Sequence, residues 1–140
     1  MMACIDSAAT ATGCKVEYKF SKKPYWNLVT NYKMADVFRN HAESVGVIFD
    51  KKEEISGGST DMGNVSQIVP SIHPLYGIET TAVNHTKEFA KAAGDPKAQS
   101  HTLAQGKAMA LTVLDILTND CLLKEIKEEF NELKKSEKSK

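Results

Sequence analysis

The dipeptide Asp95-Pro96 constrains this chain more than any other pair of residues. A carboxylate that accepts the first free N–H groups, followed by a proline in the first turn, is a helix start. The apolar residues that follow recur at helical spacing, with Leu103, Ala110, Leu111, Leu114 and Leu117 on the face expected to point inward. A helix of this length needs a packing partner. The next segment supplies one: Asp120 reads as the cap of a last helix whose buried stripe is Leu122, Ile126, Phe130 and Leu133.

Upstream, the same periodicity recurs from Tyr32 to Val45, where Met34, Val37, Phe38, His41 and Val45 share a face and Gly46 ends the run. Residues 1–12 also read as a helix, with Met1, Ile5, Ala8 and Ala9 near one face and Gly13 as its C-terminal cap. Between these helices lie short apolar runs of strand type. Cys14 to Phe20 alternates apolar and charged positions; Val47 to Phe49, Val65 to Val69 and Leu75 to Ile78 are briefer. Helix and strand alternation predicts an α/β layered fold. The strands are short and few, so the expectation is that they complete a larger sheet, and that the chain opens part-way through a unit.

Size and charge narrow the function classes. One domain of 140 residues carries 18 basic and 18 acidic side chains, a formal net charge of zero, so nucleic acid is not an expected partner. No apolar run reaches the length of a membrane span, and the first residues lack a basic and then apolar leader, which predicts a cytoplasmic protein with no membrane partner. The three cysteines, Cys4, Cys14 and Cys121, have neither the number nor the spacing of a disulfide framework or a zinc knuckle, and are expected to be reduced and buried.

The chemistry-bearing stretch is Ile55 to Pro70, ISGGSTDMGNVSQIVP. It lacks the spacing and lysine of a phosphate loop, and Asp61 would repel a phosphate. Two readings stand: a surface turn in which Asp61 bonds its own backbone, or a ligand loop before a buried strand. Of the histidines, His41 falls on a packing face and His101 lies within the long helix. His73, before a proline, and His85, in the polar run TAVNHTKEF, are free to serve a site.

GGSTDMGNVSQIVPSIHPLYGIE followed by NHTKEFAKAAG resembles the aminoacylase/carboxypeptidase metallopeptidases of clan MH, and within them the dipeptidases and the aminobenzoyl-glutamate and amino-acid-conjugate hydrolases. The resemblance extends over most of the chain. It implies the C-terminal part of an α/β/α zinc-peptidase-like catalytic domain (residues 24–134), preceded by the last helix and strand of a lid or dimerisation domain (1–23) and followed by a disordered tail (135–140). It implies hydrolysis of the amide bond of small dipeptides or N-acyl amino acids by a metal-activated water. His85 then corresponds to a ligand of a divalent metal, zinc with manganese or cobalt as alternatives. Gly57, Gly58, Ser59, Thr60 and His73 line the substrate pocket, and Asp61 orients a ligand from behind. The complete protein is expected to form a homodimer. No general base and no other metal ligand of the family are found in the chain, so it is expected to be inactive alone, and a truncated, non-catalytic binding partner is the alternative reading.

Overall fold

In a computed structural model of the chain, residues 1–49 and 59–138 are described. The long C-terminal pair forms where Asp95 and Pro96 place it. The longest helix, Pro96–Thr118, is preceded by Asp95, whose Oδ1 accepts the Lys97 N–H at 2.9 Å. The last helix, Asp120–Lys138, begins one residue after Asn119, and it is the Asn119 Oδ1, not Asp120, that accepts the Leu122 N–H. Tyr32–Ser44 is the third long helix of this group. In chain order the described residues hold α1 (Met2–Thr12), α2 (Tyr32–Ser44), α3 (Met62–Ser66), α4 (Lys87–Ala93), α5 (Pro96–Thr118) and α6 (Asp120–Lys138).

Helices α2, α5 and α6 pack on one another. The centre is small: Phe38, Ala42 and Ala108 form the buried cluster, with Val45, Val47 and Ile72 packed against it, and Ile126 is buried on α6. Two alanines with no exposed surface, one on α2 and one on α5, bring those helices close. The stripes expected on α2 and α6 face inward, but that of α5 does not. Its buried residues are Ala98, Gln105, Ala108 and Thr112, whereas Leu103, Leu114 and Leu117 are exposed. Small side chains let α5 approach α2, and the rotation that allows this turns the leucines outward.

The expected α/β fold is not what the chain adopts: among the described residues there is no strand. A strand needs a neighbour to take its N–H and C=O groups, and each of the four expected runs lacks one. Residues 14–20 follow α1 as irregular chain. Residues 47–49 and 75–78 lie without a ladder. Val65 to Val69 curls instead into α3 and its following turn, with Gln67, Ile68 and Val69 bonding back to Gly63 and Val65. Its apolar positions, Val65, Ile68 and Val69, fit a three-and-four spacing as well as an alternation, and local bonds form without a partner.

Two other expectations are corrected. All three cysteines are free but exposed rather than buried. The polar run TAVNHTKEF, expected as loop, gives way to helix α4 at Lys87, where the Thr86 Oγ1 accepts the Phe89 N–H at 3.1 Å and caps it. In addition, α6 continues through Lys138, beyond residue 134 where the ordered domain was expected to end.

Asn31 joins three parts of this core. Only 1% exposed, it caps α2 by accepting the Met34 N–H at 2.9 Å, donates Nδ2–H to the Ile126 carbonyl of α6 at 3.0 Å, and donates its backbone N–H to the Ser71 carbonyl. Asn31→Ala removes the cap and the cross-link together. The expected loss is about 2 kcal/mol, the sum of a typical cap and one buried hydrogen bond. Urea denaturation checks it, with an unchanged midpoint as the contrary result.

Candidate functional site

The region around Thr60 to Gln67 is positioned by a close approach of two backbones. Gly63, in α3, lies so near Trp26 that a Cβ built there would stand 1.8 Å from the Trp26 carbonyl oxygen. Around this contact the side chains of α3 take over the backbone groups of residues 24–29. Asn64 accepts the Trp26 N–H at 2.9 Å and donates to the Pro24 carbonyl at 3.0 Å. Ser66, fully buried, accepts the Val29 N–H at 3.0 Å, and Gln67 donates to the Asn27 carbonyl at 3.1 Å. Lys134 of α6 donates to Gln67 Oε1, fastening the unit to the helical core. The polar residues of GNVSQ therefore act as a latch, a role that no motif in the sequence announces.

Of the residues expected to bind substrate, Gly57 and Gly58 lie outside the described residues. Ser59 is exposed; Thr60 is half-buried and its Oγ1 accepts the Met62 N–H at 3.2 Å. Asp61 precedes α3 and is exposed. Its side chain makes no capping bond, while its carbonyl accepts the Asn64 N–H at 2.9 Å. His73 is exposed, beside Ile72 of the core fringe.

His85 stands on the turn before α4, exposed, with φ at +68°. A non-glycine residue in this left-handed region is uncommon, and such conformations gather at ligand-holding positions. The turn itself is fixed by Thr86, which donates to the Val83 carbonyl at 2.7 Å and caps α4. An exposed imidazole is a competent donor for zinc, but a zinc site takes three or four protein ligands. Among the described residues no three His, Cys, Asp or Glu side chains gather to hold a metal. The described residues thus do not by themselves fit a metal centre.

The other two histidines have carboxylate partners. His41 Nε2 lies 2.7 Å from Asp115 Oδ2, tying α2 to α5, in accord with a satisfied packing role. His101 Nε2 lies 3.1 Å from Glu79 Oε1, and Glu79 is the second non-glycine residue at positive φ, +57°. This pair spans 22 positions of sequence and had no local signal. It stands in the wall of a cavity of about 870 Å³ between residues 45–49, residues 75–79 and the first turns of α5.

No family model matches the chain. Over 130 residues it is 38% identical to a curated Xaa-Arg dipeptidase of Mus musculus, and equally to that of Homo sapiens. This chain is similar to the Xaa-Arg dipeptidases. The similarity covers 91% of the chain and only 30% of either relative, so the chain spans less than a third of the length of the proteins it matches. No helix of the described residues is long and apolar enough to cross a membrane.

Proposed function

We propose that the chain is the C-terminal part of a dipeptidase-type hydrolase that cleaves the amide bond of small dipeptides or N-acyl amino acids. The observation that carries this is the 38% identity maintained over 91% of the chain to proteins named Xaa-Arg dipeptidase. In this reading Ser59, Thr60 and His73, with the neighbouring Gly57 and Gly58, contribute one wall of the substrate pocket. His85 offers a single imidazole to a divalent metal, with zinc first and manganese or cobalt as alternatives, and Asp61 steadies that wall. The remaining ligands and the general base come from another stretch of polypeptide. The positive φ of His85 supports a ligand-holding role, since strain there has no evident packing purpose.

A second reading is a non-catalytic partner of a complete hydrolase. It is favoured by the lack of a metal-ligand cluster among the described residues. The two are separated by placing this sequence in the mouse dipeptidase in place of its 130 aligned residues. The catalytic reading expects arginine release from Ala-Arg by the folded hybrid, and lower bound metal in its His85→Ala variant. A hybrid that elutes as a folded species yet releases no arginine sinks it in favour of the second.

A further inference from the structure

Residues 73–86 run as a strap from the core fringe at Ile72 to helix α4, with little to hold them. Among the described residues, two side-chain links fasten this strap to another part of the chain. Tyr76 donates its O–H to Thr102 Oγ1 at 3.3 Å, and Glu79 Oε1 lies 3.1 Å from His101 Nε2. The first is a neutral bond between exposed side chains. The other bonds of the strap are local, from the Ala82 N–H to Thr80 Oγ1 and from Thr86 Oγ1 to the Val83 carbonyl. Leu75 and Val83 are exposed, and α4 buries none of its residues. The turn that carries His85 is therefore steadied chiefly through Glu79.

Glu79 is held against its own backbone preference. At φ +57° it occupies the left-handed region that side chains disfavour, and from there its carboxylate reaches His101. Strain of that kind and the pull of a part-exposed ion pair are of the same order. Two such terms in opposition leave the strap near balance, so a change in one charge can tip it. His101 supplies that change: it pairs as a cation only when protonated, and an imidazole changes charge between about pH 5 and 8. Carboxylates, lysines and arginines hold their charge over that range. Those nearby are Glu79 itself, Lys97 one turn before His101 on α5, and Arg39 of α2, whose guanidinium lies 5.4 Å from the centre of the Phe49 ring that lines the same cavity. Residues 45–49 and 75–78 carry no charge.

We infer that the Glu79–His101 pair is a charge-dependent clip that positions the turn bearing His85, closed while His101 is protonated and released when it is neutral. The inference rests on the reading proposed above, in which His85 offers its imidazole to the site, and it makes Glu79 and His101 positioning residues. Raising the pH through the histidine range weakens the pull on the carboxylate. Glu79 then relaxes towards negative φ, and His85 loses its fixed place relative to α5. Protonation of Glu79 at lower pH opens the clip as well, so the closed window lies between the two titrations.

The test is solution NMR of the full chain from about pH 5.5 to about pH 8.5, which spans the histidine range. The ratio of closed to released clip is read from the Overhauser contact between the Glu79 γ protons and the His101 ring. It is expected to fall about fivefold across that range, the reach of an exposed pair. The amide resonances of residues 77–84 should move with the same midpoint as the His101 ring. Glu79→Gln, which removes the charge and keeps a hydrogen-bonding group, is expected to show the released pattern already at the acid end. His101→Phe should abolish the midpoint. Amide movement that follows His73 or His85, a contact unchanged with pH, or a response retained in His101→Phe would each overturn the inference. No turnover is read, so failure of the clip leaves the proposed activity standing. A folded hybrid that releases no arginine counts against that activity and leaves the clip in place.

Discussion

Gly63→Ala is expected to destabilise the chain by about 3 kcal/mol, at the upper end for a forced insertion into a packed site. Taken as a helix position, the change should help, since alanine is favoured over glycine by roughly 1 kcal/mol. The geometry reverses that sign. The new methyl would lie 1.8 Å from the Trp26 oxygen and 2.7 Å from its carbonyl carbon, and both are backbone atoms that no rotamer change can move. Relief requires residues 24–29 to lift from α3. That movement stretches the bonds from Asn64, Ser66 and Gln67, and leaves the Val29 N–H without its buried partner. Gly106→Ala is the internal control. It lies in the middle of α5, and an added Cβ there meets nothing within 4 Å, so about 1 kcal/mol of stabilisation is expected. Denaturant midpoints of the two variants should move in opposite directions. A shift of the same sign in both would show that the contact at Trp26 does not constrain the fold.

The contrast between these glycines shows which parts of the structure could be read in advance. Helix starts are local, so the caps at Asp95 and the glycine stop after α1 were legible: Gly13 adopts φ +67° and bonds back to Thr10. The stripe on α6 was legible too, because Ile126 and its neighbours at three and four positions share one face wherever the helix packs. Strand assignments depend on partners distant in sequence, and the alternation in CKVEYKF reports only that one could be accepted. The orientation of α5 was missed for a related reason. Hydrophobicity ranked Leu103, Leu114 and Leu117 as core, whereas close helix approach selected Ala98, Ala108 and Thr112.

For the candidate site, the stretch from Ile55 to Pro70 stands out for its glycines, hydroxyls and carboxylate, and the most evident work of its described residues is structural. Asn64, Ser66 and Gln67 satisfy a neighbouring segment that forms no ladder. His85 was singled out as a polar residue with no packing purpose, and its exposure and positive φ agree with that description. Glu79 and His101 could not be paired from sequence, because the turn that carries Glu79 and the helix that carries His101 meet only in the fold.

The second large effect is expected at Phe38. Phe38→Ala should cost about 3–5 kcal/mol, the usual range for truncating a buried aromatic ring. Phe38 is 4% exposed and is the one large side chain among the buried members of the central cluster, the other two being alanines, with Val45, Val47 and Ile72 packed against them. An ordinary domain is stable by about 5–15 kcal/mol, and a core of this size leaves little reserve above that loss. Side-chain size alone would rank Trp26 as the more important ring. Trp26 is 53% exposed, however, and its links to α3 run through its backbone N–H and carbonyl, so Trp26→Ala should cost far less. Thermal unfolding followed by circular dichroism separates the two cases. Phe38→Ala is expected to lose its cooperative transition or shift it steeply downward, with α2 and α5 released from each other, while Trp26→Ala keeps a transition close to that of the parent. Equal shifts for the two variants would mean that the α2–α5 contact is not where the stability of this chain resides.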